Sequence, residues 1–530
     1  MGISSLLRDT SGFPLGNGFI LPGDVRLWLI IGDPLPYYTE SNMEVARRSI
    51  VIGGGFVGLA SALHLQRIGR HVILIERTEV ASAAAASYGN AGTMAAYANV
   101  PVNSPKLLGK LPSMLLDETS PLSIKPSTHL ASMLPWAALF AWNCRPAAVE
   151  RTAAGLGVLL SRAESGYEAV WKQADVDIDL PMGDYACHNV PGQREQPYAV
   201  RKGQGQLFLM RSEAAMKDSE AGVALRRRHV ADVRIHALSQ DEVLSLEPAL
   251  SAESCAGGAL LFPDGWFLNE PGALLRALAA GFERGGGELR SGAAVIGICG
   301  ADGGGATVTL DDQSILHADE VVIAAGAHSA GLVSSCLGEY CPLDTERGYH
   351  IAFEPGSEQL LSRSVTDPSL GWIATPMAGG LRVAGKVELG GVRAPASPAR
   401  WHQIEREARA VIQEAGPRIP SSDWMGFRPT VRDAHLLHVA AHPHRPSPRI
   451  AVLTPTPPIT SHSPFASSSV PAQRTYPSLL TDARLAPGDR PLAHSTLCPL
   501  CLWPPARRLD TRRDHRSAHR GVSAGKATVG

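Results

Sequence analysis

The chain has 530 residues, 44% of them hydrophobic and 19% charged, with a formal net charge of -1. That length accommodates two or three domains with substantial cores. The balanced charge gives no electrostatic case for nucleic acid or an anionic membrane, and no run reaches the roughly 18 apolar residues of a transmembrane span. Eight scattered cysteines indicate buried thiols in a reducing, cytoplasmic compartment, not a disulfide frame. Only Cys498 and Cys501 are spaced like metal ligands, and without a second pair no metal is expected there.

Met1–Asn42 carries no periodic pattern. Its apolar stretch VRLWLIIG is short and lies between Asp24 and Asp33, so it reads as neither a signal peptide nor a span. The segment is expected to be an unstructured extension, or translation to begin at Met43.

Ser49–Arg77, SIVIGGGFVGLASALHLQRIGRHVILIER, organises the rest of the chain. Ser49–Ile52 reads as a buried strand stopped by three glycines. Gly53, Gly55 and Gly58 fall in the GxGxxG spacing. The Leu and Ala residues from Leu59 to Leu65 suit a buried helix ending at Gly69, and His71–Ile75 is a second strand that delivers Glu76. Gly53 permits the tight turn, Gly55 lets backbone approach a pyrophosphate, and Gly58 lets helix and strand pack closely. The helix N-terminus offers unpaired N–H groups and a positive dipole end to the anion. Glu76 can accept the ribose hydroxyls. With strand, helix, strand and terminal acid in order, this is a dinucleotide-binding unit.

After Arg77 a regular βα repeat would suit a nicotinamide cofactor. The chain instead enters a small-residue loop, Ala81–Gly92, able to lie flat against a flavin. GGGFVGLASAL, Glu76-Arg77 and ASYGNAG (Ala86–Gly92) together resemble the D-amino-acid oxidase, dehydrogenase and glycine oxidase family of flavoproteins. The resemblance runs from about Arg47 to Arg428. It implies FAD held by Gly53, Gly55, Phe56, Val57, Gly58, Glu76, Arg77, Asn90, Ala91 and Gly92, with main-chain contacts from Val295 to the adenine and Gly326 near the cofactor. It also implies an α/β fold, in which a Rossmann-like FAD domain (44–93 plus about 236–340) is interleaved with a substrate domain (about 94–235 plus 341–429) of antiparallel sheet and helices.

Between these motifs, Asn99–Trp142 reads as helices over a substrate cavity and Ala153–Gln173 as one amphipathic helix. Gly203–Gly205 is expected to open a helix running to about Lys217. His229–Ile235 reads as a strand and Ser239–Leu246 as a helix. Gly258–Phe262 is a strand, about 269–284 a helix, Ala293–Ile298 and Thr307–Leu310 a meander, and Glu320–Ala324 a strand returning to the dinucleotide sheet. Glu346–His350, ERGYH, enters strand Ile351–Phe353. The resemblance implies that Arg347, Tyr349 and His350 line the pocket; on the strand, Tyr349 is read as facing opposite Arg347 only if Gly348 does not bend it. Trp401–Ala415 is a helix. Trp424–Pro429, WMGFRP, resembles the family segment whose arginine grips the substrate carboxylate. A guanidinium makes a two-pronged bond to a carboxylate and keeps its charge, so Arg428 is the expected anchor.

Beyond Thr430 the family pattern should give a turn, a strand and a glycine-rich segment leading into a final helix. Here no glycine occurs between Gly426 and Gly488. From about Ala434 to Gly530 the chain is rich in Pro, Ser, Arg and His without sustained period, and disorder is expected. The abrupt change resembles a reading-frame shift. An intact alternative frame in the nucleotide sequence checks this, and a basic tail for an acidic partner is the rival reading.

The implied activity is oxidative deamination of D-amino acids by hydride transfer from Cα to flavin N5, with a quinone or carrier protein as electron acceptor and a cytoplasmic location or one peripheral to the inner membrane. Secondary-amine oxidation (D-proline, hydroxyproline, sarcosine or glycine) and a non-catalytic remnant are the alternatives.

Overall fold

The computed structural model describes residues 47–117, 120–125, 137–177, 201–202, 205–300, 304–341, 343–431 and 449–452. The expectations for Met1–Asn42, for Cys498 and Cys501, and for most of the segment after Ala434 lie outside these residues.

A five-stranded, all-parallel sheet carries the dinucleotide unit. Its order is Glu288–Ser291, His71–Glu76, Arg48–Ile52, Glu320–Ile323 and Arg449–Val452. Because side chains alternate along a strand, each strand feeds two cores. Val51, Val72 and Leu74 pack with Leu59 and Leu63 of helix Phe56–Arg67 and with Leu274, Leu278 and Phe282 of helix Pro271–Arg284. Ile50, Ile52, Ile73 and Ile75 face the other way. They meet the three-stranded meander Val295–Gly300, Ala306–Leu310, Ile315–Ala318 and Val333 of helix Ser329–Leu337.

The second sheet has nine strands. Along its main path run Trp424–Val431, Leu343–Ala352, Gly380–Leu389, Trp372–Met377, Ser364–Asp367, Gln206–Leu209, Ala259–Phe262 and His236–Leu238; Leu122–Ile124 pairs beside Gly380–Leu389. Helix Pro398–Val411 covers one face, where Tyr349, Ile351, Trp372, Val383, Ile404 and Ala408 form a core. The opposite face is turned to the Ala83–Gly92 loop of the dinucleotide unit, which it meets through His350, Thr375 and Arg382.

Several expected elements differ. His236–Leu238 and Ala259–Phe262 belong to the nine-stranded sheet and not to the cofactor domain. The region after Gly205 is a strand, Gln206–Leu209, with Val365 as partner of Leu207. The helix comes later, at Glu213–His229, where Ser212 accepts a hydrogen bond from Ala215 N–H and caps it. That cap, not Gly203–Gly205, is the start signal, and His229 ends the helix instead of opening a strand. Ala153–Gln173 is two helices, Pro146–Leu160 and Ala163–Gln173. Arg449–Val452, inside the stretch expected to be disordered, pairs in parallel with Glu320–Ile323. Four residues are too few to display a period, so sheet pairing supplies what the sequence pattern does not.

Candidate functional site

The turn after Ile52 is shaped by its glycines. Gly53 has φ +116°, and a Cβ there would stand 2.4 Å from Ala324 O. A Cβ on Gly58 would stand 1.8 Å from Gly53 O. Side chains are therefore excluded on both sides of the strand-to-helix turn. Gly55 is the N-cap and provides no side-chain cap. Instead the hydroxyl of Ser87, from the small-residue loop, accepts from Phe56 N–H at 3.1 Å. Glu76 Oε2 accepts from Gly54 N–H at 2.7 Å, and Oε1 from Thr78 N–H at 3.1 Å, which fixes the carboxylate at the strand end. Val57 follows in the first helical turn. Val295 begins the meander beside the same strand end, where Ala293 N–H donates to Glu76 O at 3.0 Å. Gly326 has φ +55° with open space at its Cβ position. Close behind it, His328 Nε2 accepts from Arg77 Nη2 at 2.8 Å. Burial, then the Arg77 charge, holds the His328 pKa below its usual value. This arrangement fits a dinucleotide: a glycine turn without side chains of its own, a helix N-terminus beside it and a fixed acid at the ribose position.

The loop Ala83–Gly92 is gripped by the second sheet through its carbonyls. His350 Nδ1 donates to Gly89 O at 2.6 Å, Arg382 Nη1 to Asn90 O at 3.1 Å, and Thr375 Oγ1 to Ala91 O at 3.0 Å. Trp424 Nε1 donates to Ala83 O at 2.7 Å. In a trans peptide the N–H points opposite to the C=O, so Asn90 and Ala91 turn their N–H groups away from the sheet. Asn90 Oδ1 accepts from Gly92 N–H at 2.8 Å and tightens the turn.

The four expected substrate-side residues separate onto two faces. On one face, Gly348 and Gly426 stand directly opposite each other in neighbouring strands. The Arg428 guanidinium lies over Gly348, where a Cβ would be 2.6 Å from Nη2, and the Trp424 ring lies over Gly426. Desolvation by the surrounding protein holds the Arg428 pKa below its usual value. His350 stacks on Trp424 with ring centroids 5.0 Å apart. Among the described residues, Arg428 makes one hydrogen bond, from Nη1 to Lys386 O at 3.0 Å.

Arg347 and Tyr349 are on the other face and do not line this space. Arg347 is fully buried. Its Nε donates to Gly391 O at 2.8 Å, Nη2 to Ala394 O at 2.6 Å, and Nη1 to Glu388 Oε1 at 3.2 Å. Tyr349 OH donates to the same Glu388 oxygen at 2.6 Å. The two share one face because residues two apart on a strand do so, which corrects the expectation that they oppose each other. Burial and the Glu388 carboxylate push the Tyr349 phenol up to about 12. The pair ties the sheet to the Gly390–Pro395 turn. His350, 5% exposed, is a link between the sheet and the cofactor loop, with its Nδ1 proton committed to Gly89.

Ser87, Thr375, Arg382, Trp424 and His328 carry much of this geometry and were not among the expected site residues. Ser87 lies inside the ASYGNAG motif and Trp424 inside WMGFRP. Nothing local marks Thr375 or Arg382, whose partners are almost 300 residues away.

Burial, then the Arg382 charge, lowers the His350 pKa to about 3. In the unfolded chain it is about 6.5. Above pH 6.5 neither state is charged and the group contributes nothing to pH dependence. Between about 6.5 and 3 the unfolded chain binds a proton that the folded chain refuses, so stability falls with pH by about 1.4 kcal/mol per unit. Urea midpoints at pH 4–7 should show a shallower acid slope for His350→Gln than for the parent, although the variant is less stable at pH 7. Equal slopes would contradict this assignment.

A parallel α/β unit with a glycine cradle and a fixed acid, joined to a large sheet that carries the Arg428 guanidinium, defines a dinucleotide-dependent oxidoreductase. Residues 48–460 match the family described as DAO, FAD dependent oxidoreductase, and the chain belongs to that family; its cofactor is FAD. The match runs past Arg428, where the resemblance in the sequence was expected to stop, and includes the Arg449–Val452 strand. The chain is 30% identical over 401 residues to a D-amino-acid oxidase of Bradyrhizobium diazoefficiens, covering 74% of this chain and 86% of that one. It is 28% identical over 392 residues to a D-amino acid dehydrogenase of Cereibacter sphaeroides, covering 73% and 83%. Glycine oxidase from Geobacillus kaustophilus has the same fold, with a TM-score of 0.52 at 19% identity over 77% of this chain and 89% of that one. Among the described residues no helix is long and apolar enough to cross a membrane.

Proposed function

We propose that this chain oxidises the Cα–N bond of D-amino acids to an imino acid, which water converts to a 2-oxo acid and ammonia. The observation that carries the reading is Arg428: a guanidinium laid over Gly348, beside the Trp424 ring that covers Gly426, with one hydrogen bond to protein among the described residues. Its fork suits an α-carboxylate held in two-pronged fashion. Gly348 gives the guanidinium and Gly426 the Trp424 ring the room to lie flat on the sheet, and the Trp424–His350 stack supplies an apolar wall that fixes the substrate's orientation.

When bound, FAD supplies the acceptor for the hydride that leaves Cα. Gly53, Gly55, Phe56, Val57 and Gly58 would hold its pyrophosphate, Glu76 its ribose, Arg77, Val295 and Gly326 the adenosine end, and the Asn90, Ala91 and Gly92 turn its ring system. Neutral His350, with its Nδ1 proton donated to Gly89 O and its pKa lowered to about 3, does not act as a base. Arg347 and Tyr349 are framework residues. The substrate amine therefore arrives already neutral, and its lone pair drives hydride departure without a protein acid–base pair.

The D configuration follows from the similarity to a D-amino-acid oxidase and a D-amino acid dehydrogenase at 30% and 28% identity. The acceptor proposed is a quinone or carrier protein, at a cytoplasmic or peripheral membrane location. Anaerobic flavin reduction by D-alanine, D-proline, sarcosine, glycine and L-alanine ranks the substrates. D-alanine should reduce the flavin fastest and L-alanine should not react; the reverse order would overturn the reading, and preference for D-proline or sarcosine would move it to secondary amines.

A further inference from the structure

The strand Gly380–Leu389 is irregular where it meets Arg428. Arg347 pairs with Glu388 and Tyr349 with Gly385, so Lys386 and Val387 together stand opposite Gly348. This two-against-one arrangement is a β-bulge. Lys386 has φ +63°, a conformation that a residue with a Cβ keeps only when its surroundings over-determine it.

The surroundings do so. The Lys386 side chain is buried, and Nζ donates to Leu370 O at 2.7 Å and to Glu407 Oε2 at 2.5 Å. Its backbone N–H donates to Gly371 O at 2.8 Å. These partners are themselves fixed. Asp367 Oδ1 accepts from Ser369 N–H and Leu370 N–H, both at 3.0 Å, and closes the turn that offers Leu370 O. Glu407 Oε1 accepts from Gln403 Nε2 at 2.8 Å, and Gln403 Oε1 from Arg400 Nη1 at 2.6 Å. The carbonyl of Lys386 is left to face the neighbouring strands, and it accepts from Arg428 Nη1.

We propose that Lys386 is the positioning residue of the substrate site: its buried ammonium pins the left-handed bulge, and the bulge carbonyl aims Arg428 at a carboxylate. The proposal rests on Arg428 being the carboxylate anchor. A lysine meets the need because its stem reaches two fixed acceptors from a backbone position that would otherwise relax.

Positioning and mere core filling rank variants in opposite orders. Glycine adopts the left-handed conformation without strain but lacks the tether; methionine fills the volume but keeps the strain and loses the tether. Each change is combined with Glu407→Gln, so that no buried carboxylate is left without its counter-charge. Binding of benzoate, a plain carboxylate, to the full-length chain is followed by titration calorimetry. Lys386→Met/Glu407→Gln should bind about tenfold more weakly than the parent, as expected for a misaimed anchor, with Lys386→Gly/Glu407→Gln between the two and FAD content unchanged. Methionine equal to the parent with glycine weakest would overturn the proposal in favour of packing. If a double variant does not fold, Lys386→Gln, a donor of shorter reach, should lose several-fold in benzoate affinity; unchanged affinity would overturn the proposal. Arg428→Met separates the two levels. If it abolishes benzoate binding while the Lys386 series follows the packing order, only the positioning role fails. If it binds benzoate like the parent, the anchor reading fails and the positioning role with it.

Discussion

Arg428→Met is expected to lower kcat/KM for D-alanine by about 10²–10³-fold, because truncating one partner of a desolvated charged pair costs about 2–5 kcal/mol. The loss should fall mainly on KM, since the carboxylate is held before and during hydride departure, with a smaller loss in kcat from poorer orientation. Arg428→Lys should recover only part of it: an ammonium restores charge without the planar fork. FAD content should not change in either variant, because Arg428 lies on the substrate sheet and touches none of the Gly53–Glu76 turn. Steady-state kinetics with flavin content measured in parallel checks all three points. A methionine variant with unchanged KM would exclude Arg428 as the carboxylate anchor.

Gly58→Ala is expected to abolish FAD binding and to cost at least about 1–3 kcal/mol of stability, the usual scale of an overpacked core. The added Cβ would stand 1.8 Å from Gly53 O, a backbone atom that cannot swing aside without moving Gly53. Gly53 in turn is held at φ +116° against Ala324. The helix must therefore retreat from the strand, and the turn that receives the pyrophosphate is lost. Gly109→Ala is the control. Nothing lies within 4 Å of its Cβ position, it sits in helix Pro105–Leu116, and alanine should be neutral or slightly stabilising there. The flavin-to-protein absorbance ratio and the melting temperature of the two variants give the comparison.

The dinucleotide unit was readable because its information is local. Strand, glycine turn, helix, second strand and Glu76 lie within one short stretch of chain, Ser49–Arg77, and each glycine answers a steric need visible in the pattern. The WMGFRP motif that carries Arg428, for which the carboxylate role is proposed, is local in the same way. What local pattern could not give was the partition of the sheet. The resemblance of ERGYH makes Arg347 and Tyr349 look like pocket residues, yet their strand turns them toward Glu388 and helix Pro398–Val411. Gly348 and His350 take the face toward the cofactor loop. That choice depends on which side the helix covers. The Lys386 bulge was equally hidden, since VAGKVEL has the composition of an ordinary strand and only pairing with Leu343–Ala352 shows two residues opposing one. Arg449–Val452 lies in a Pro- and Ser-rich stretch, and its place at the sheet edge comes from Glu320–Ile323 and not from its own sequence.

That the chain holds FAD and passes it a hydride from a D-amino acid is tested most directly by a visible absorption spectrum. The purified 530-residue chain is measured before and after anaerobic addition of D-alanine. Flavin bands that bleach on addition are the predicted result. A colourless protein would contradict the cofactor site built on Gly53, Gly58 and Glu76. A yellow protein that bleaches with no D-amino acid would contradict the substrate role given to Arg428.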